Sequence, residues 1–66
     1  MNYGELEFYI QELNFTSKED LRKQLEHLLV KSSEEIEKGS ISTALAILKG
    51  ISEEELKEIK ETINGK

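Results

Sequence analysis

The sequence predicts an all-α protein, a compact bundle of three to four short helices in a single domain over residues 1–66. Three observations predict this class. The chain contains no proline, apolar residues recur at helical spacing, and Ser, Thr and Gly stand where helices should begin and end. A domain of this size has a marginal core, and without cysteine it has no disulfide to support it. We therefore expect regular helix packing, association, or both.

The first helix is predicted over residues 3–13. Apolar side chains form one face of this helix, with Tyr9 at the edge of that face. Asn14 is a plausible end. The predicted face consists of Tyr3, Leu6, Ile10 and Leu13.

The second helix is predicted over residues 18–38 and is the longest. Two alternative capping boxes suit its start, either Thr16 with Glu19 or Ser17 with Asp20. Gly39 is predicted to end it in a left-handed conformation. The predicted buried stripe consists of Leu21, Leu25, Leu28, Leu29 and Ile36.

The third helix is predicted over residues 42–49, with Ser40 or Ser42 as its cap and Gly50 at its end. Because almost all of its residues from position 41 onward are apolar, we expect it at the centre of the packing.

The fourth helix has the clearest start in the sequence. Ser52 and Glu55 form a capping box, and Ile51 can pack onto Leu56. The helix is predicted to end at Asn64 and Gly65. Its buried stripe is narrow and consists of Leu56, Ile59 and Ile63.

The side-chain chemistry gives no basis for an enzyme, so no catalytic, cofactor-binding or metal-binding residue is predicted. The chain has no cysteine, and His27 is its only histidine. No carboxylate or second histidine lies three or four residues from His27, so the sequence offers neither a metal pair nor a partner to orient the imidazole. The glutamate clusters lack the alternating spacing of a calcium loop.

The charge of the chain disfavours two kinds of partner. Fourteen acidic and nine basic residues give a formal charge of −5, which disfavours nucleic acid and anionic membrane surfaces. No apolar run approaches the ~20 residues of a membrane span, and the N-terminus lacks the pattern of a secretory signal. A cytoplasmic protein is therefore expected.

Residues 43–59 resemble the helix-turn-helix of small phage-type repressors. The resemblance rests on Ala46, Gly50, Ile51, Leu56 and Ile59 and implies a DNA-binding regulator as the alternative function. Two features depart from the family pattern. Lys49 stands where an apolar residue is usual, and the helix that should enter the major groove carries four glutamates, which would face phosphates.

Residues 5–10 and 21–39 are similar in rhythm to colicin DNase immunity proteins. The tyrosine-pair segment of that family is missing, so its function is not transferred. A small acidic inhibitor is nevertheless one type of protein to consider.

Two apolar residues do not fit the buried faces of their predicted helices. Phe8 points away from the face of the first helix, and Val30 lies opposite the stripe of the second. We therefore predict Phe8 and Val30 as interface residues of a small non-catalytic interaction protein. Its expected partner is another protein or a second copy of itself, most simply in a two-fold homodimer.

Overall fold

The computed structural model describes residues 3–65, and that range contains four helices and no strand. The helices are α1 (Glu5–Glu12), α2 (Lys18–Lys31), α3 (Glu35–Lys49) and α4 (Glu53–Asn64). Helix α3 packs against both α1 and α2, while α4 packs against α1. The predicted all-α bundle is confirmed. No helix in this range is both long and apolar enough to cross a membrane.

One hydrophobic core contains residues from all four helices. It also contains one residue of the α1–α2 connection, Phe15, and one of the α3–α4 connection, Ile51. Its members come from the faces that helical spacing predicts for α1, the first half of α2, and α4. The buried residues are Leu6, Tyr9, Ile10, Phe15, Leu21, Leu25, Ile41, Ala44, Leu48, Ile51, Leu56 and Ile59.

The prediction of one helix over residues 18–38 is wrong. Helix α2 ends at Lys31, residues 32–34 are extended, and α3 begins at Glu35. The Ser32 hydroxyl donates to the Glu34 carbonyl at 3.5 Å, a side-chain-to-backbone bond of the kind with which serine competes against helix, and it lies 2.8 Å from the Glu37 carboxylate. The break allows α3 to fold back onto α2, which a continuous helix could not do.

The same break changes the role of two predicted residues. Gly39 lies inside α3 rather than at a helix end, and it has no positive φ. Ile36, expected in the buried stripe of the second helix, is 87% exposed. Ile36 would lie on the same side of the helix as Leu21 and Leu25 only if one helix continued through residues 32–34.

The third helix is also longer and less uniformly buried than predicted. It begins at Glu35 instead of residue 42, so neither Ser40 nor Ser42 is its cap. Its N-terminal half is polar, and its core contact comes from Ile41, Ala44 and Leu48. The expectation that this helix lies at the centre holds in part, because it packs against α1 and α2 but α4 packs against α1.

The capping residues show which of the alternatives forms. Ser17 caps α2 by accepting from the Asp20 N–H at 3.1 Å, while the Asp20 carboxylate accepts from the Thr16 N–H at 3.0 Å. The reciprocal bond therefore reaches one residue earlier than in a standard capping box. The predicted capping box of Ser52 and Glu55 is confirmed, with both bonds at 3.1 Å.

Side chains of α4 form hydrogen bonds with the α1–α2 connection and with the first residue of α2. The Glu53 carboxylate accepts from the Lys18 N–H at 2.8 and 3.1 Å. The Lys60 ammonium donates to the Phe15 carbonyl at 3.2 Å and lies 4.5 Å from the centre of the Phe15 ring. These bonds hold the α1–α2 connection and the start of α2 against α4.

Candidate protein-binding surface

Three large apolar side chains remain exposed on the outer faces of three different helices. Phe8 is 57% exposed on α1, Val30 is 83% exposed on α2, and Ile36 is 87% exposed on α3. We call these residues the exposed apolar triad. The sequence identified Phe8 and Val30 as outward-facing, and the structure places both so. It missed Ile36, because the predicted second helix was too long.

A small pocket lies where α1 meets the α2–α3 junction. The pocket has a volume of about 130 Å³. Phe8, Val30 and Ile36 each immediately precede a residue that lines it. None of the three triad residues lines the pocket itself. Its lining residues are Tyr9, Leu28, Lys31, Ser32, Glu37 and Ile41.

The Phe8 ring is positioned by its buried neighbour. Its centroid lies 5.1 Å from that of Tyr9, and the rings meet edge to face at 83°, an arrangement aromatic pairs favour. Tyr9 belongs to the core. Phe8 therefore rests on a fixed support while more than half of its surface stays exposed.

Most of the net charge of the chain lies in the two segments that carry the triad. Helix α1 and residues 30–38 together contain six acidic and two basic residues, a formal charge of −4. The remaining residues contain eight acidic and seven basic residues. These two segments are therefore distinctly acidic, whereas the rest of the chain is nearly balanced.

The pKa of Tyr9 is raised by burial and by this acidic environment. Burial raises the pKa of its phenol, and the negative charges of Glu37 and Glu5 raise that pKa further. Glu5 belongs to α1 and Glu37 to α3. Carboxylates from two helices thus act on one side chain at the pocket.

His27, the only histidine of the sequence, is exposed on α2. It lines a pocket with Leu13, Lys23, Gln24 and Leu28. In residues 3–65, no three His, Asp or Glu side chains converge closely enough to hold a metal ion.

The other residues with a shifted pKa, Glu19 and Arg22, form an ion pair on the surface of α2. A hydrogen bond from Arg22 lowers the pKa of Glu19, and the same guanidinium pairs with Glu26. All three residues lie on α2.

The segment that resembles a helix-turn-helix forms two helices joined by a three-residue turn, residues 50–52. Ala46, one of the residues carrying the resemblance, is exposed, whereas Ile51, Leu56 and Ile59 are buried. Helix α4 packs mainly on α1 rather than on α3. Its exposed surface carries the acidic residues Glu53, Glu54, Glu55, Glu58 and Glu61.

Comparisons of the chain with family models, with curated proteins and with solved structures find no match.

Proposed function

We propose that this is a non-catalytic interaction protein that binds another protein molecule through the exposed apolar triad. The observation that carries the proposal is that three large apolar side chains, Phe8, Val30 and Ile36, stay exposed outside the core. Exposed apolar side chains are candidates for contact with a partner. A regulator or inhibitor acting by binding fits this surface.

Folding alone does not account for the triad. The core contains none of its three residues. Val, Ile and Phe are also poorer helix formers than Ala, Lys or Glu, so they do not favour their helices at exposed positions. Full burial of an exposed Val or Ile side chain against a partner would contribute about 1.5–3 kcal/mol, and Phe8, which is 57% exposed, would contribute a fraction of the value for a fully exposed Phe. Such a gain can offset part of the entropy lost on association.

DNA binding is the weaker alternative. The three-residue turn between α3 and α4 favours it. The exposed glutamates of α4 oppose it, because a helix in the major groove lies between rows of phosphates. Neutralising phosphates needs a basic surface, and α4 carries five acidic residues against two lysines.

The proposal is tested by capture from an extract of cells that express the protein. Immobilised wild-type protein is compared with a triad variant carrying Phe8→Ser, Val30→Ser and Ile36→Ser. The matched control carries Gln11→Ser, Lys57→Ser and Thr62→Ser, at positions that are also exposed. Circular dichroism establishes that all three proteins are folded.

The expected result is a protein retained by the wild type and the control but lost from the triad variant. Sedimentation of the wild type at rising concentration shows in parallel whether a second copy is that protein. Retention of the same proteins by all three baits, with no triad-dependent sedimentation, would overturn the proposal.

A further inference from the structure

We propose that a groove between α4 and the start of α1 binds an arginine side chain of another protein. The stem of that side chain lies on an apolar floor, and its guanidinium pairs with carboxylates at the edge of the groove. The groove has a volume of about 420 Å³, and none of the triad residues lines it. The proposal therefore concerns a second surface and does not depend on the triad.

The floor of the groove is apolar. It is formed by Tyr3, which lies just before α1, and by Ile59 and Ile63 of α4. Ile59 belongs to the core, while Tyr3 and Ile63 pack against the core and remain partly exposed. Since Ile59 and Ile63 are four residues apart, they share one face of α4. The methylene groups of an entering side chain therefore meet apolar surface.

Three carboxylates line the same groove. Glu7 comes from α1, whereas Glu55 and Glu58 come from α4. Among the described residues, no lysine, arginine or histidine lines the groove with them. Both helices thus contribute negative charge to one concavity, and nothing within that concavity balances it.

The two lysines of α4 lie at a different site. Lys57 and Lys60 line a pocket that also contains Phe15 and does not contain the three carboxylates of the groove. The Lys60 ammonium donates to the Phe15 carbonyl at 3.2 Å. The basic and acidic side chains of α4 are therefore divided between two concavities, and the groove has only the acidic ones.

The groove carboxylates also have no ion-pair partner from another helix. Within residues 3–65, the ion pairs are those of Arg22 with two glutamates of α2. Glu7 and Glu55 each accept from a backbone N–H, at 3.4 Å and 3.1 Å. These donors are neutral, so the charge of the groove remains for an external cation.

An arginine side chain matches both the floor and the edge of the groove. Its stem is apolar, and its head is a planar cation with five N–H donors. Those donors can reach more than one carboxylate at once, whereas a lysine ammonium is a point charge. A guanidinium also stacks on aromatic rings, and Tyr3 supplies one. Arginine therefore fits this groove better than lysine.

A second copy of the chain has no spare arginine to supply. The sequence contains one arginine, Arg22, and its guanidinium already pairs with Glu19 and Glu26. Moving it into the groove of another copy would exchange two ion pairs for others of the same kind. The occupant is therefore a different protein that exposes an arginine.

The test is an NMR titration of the nitrogen-15-labelled protein, which reports binding residue by residue. The probe is a capped peptide in which arginine alternates with glycine, and its counterpart carries citrulline, which is neutral and similar in shape. The groove variant carries Glu7→Gln and Glu58→Gln; Glu55 is kept because it completes the capping box of α4. The matched control carries Glu12→Gln and Glu61→Gln, exposed positions of the same two helices outside the groove.

A second pair of variants tests the site by blocking it. Thr62→Lys places a cation at an exposed position that lines the groove. Its matched control is Thr43→Lys, the same change at an exposed position of α3. The spectra of the free proteins show that each variant is folded.

The arginine peptide is expected to shift the amide signals of residues that line the groove, and the citrulline peptide is not. The groove variant and Thr62→Lys should each bind the arginine peptide on the order of tenfold more weakly, because a hydrogen-bonded charge pair is lost or blocked. The two controls should change by less than about twofold. Together these results would support the arginine site.

Several results would overturn it. No binding of the arginine peptide, or equal binding of the citrulline peptide, would show that the groove does not recognise the guanidinium. Equal weakening by the groove variant and its control would show attraction to the net charge alone. If the wild type sediments as a dimer that the groove variant dissociates, the occupant is a second copy. Because all these variants keep the triad, each such failure leaves the proposed function to the capture experiment.

Discussion

Gly39→Ala is expected to stabilise the protein, and the sign of its effect tests where α2 and α3 are divided. Gly39 is the fifth of the fifteen residues of α3, and a methyl group added to it meets nothing within 4 Å. In a helix interior Ala is favoured over Gly by about 0.8–1.0 kcal/mol. For a domain of this size, that gain corresponds to an increase of about 4–8 °C in melting temperature.

The assay is the free energy of unfolding from urea titrations followed by far-UV circular dichroism. Gly4→Ala is a suitable opposite control, because Gly4 has φ 51° and an added methyl group there also has open space. It should lose about 1–3 kcal/mol through backbone strain, because φ 51° with ψ −126° is a conformation that Gly adopts readily and Ala does not. If Gly39→Ala instead destabilises the protein, Gly39 ends a helix in the left-handed conformation. The division at residues 32–34 is then refuted.

Two other perturbations follow from local interactions. Ser52→Ala removes the hydroxyl of the capping box and should lower the free energy of unfolding by about 1 kcal/mol. The control Ser42→Ala, inside α3, should not lower it. Equal losses for the two variants in urea titrations would contradict the capping role of Ser52. The raised pKa of Tyr9, caused first by burial and then by Glu37 and Glu5, disfavours the phenolate in the folded protein. The stabilisation that comes from this raised pKa is therefore fully present below the pKa of the unfolded chain, near 10. It is lost as pH rises through the pKa of Tyr9 in the folded protein. Tyr9→Phe should lose less stability than the wild type between neutral and strongly alkaline pH, and identical losses would count against this linkage.

Local signals in the sequence were sufficient for the starts of α2 and α4 and for much of the core. Ser52 and Glu55 satisfy each other's backbone groups within one turn, so nothing distant is needed to recognise the start of α4. The buried faces of α1 and α4 follow from spacing, because side chains three and four residues apart share one side of a helix. The same spacing showed that Phe8 and Val30 face outward.

The tertiary structure alone decided where α2 ends and how the candidate surface is composed. Through residues 32–34 helical phase would continue the buried stripe to Ile36, so periodicity cannot reveal the break. The break becomes favourable because α3 can then pack back on α2 and bury Ile41, Ala44 and Leu48. That gain comes from contacts between residues far apart in the chain, which no local pattern contains. The same fold brings Tyr9 of α1 to the α2–α3 junction, where it lines one pocket with Lys31 and Glu37.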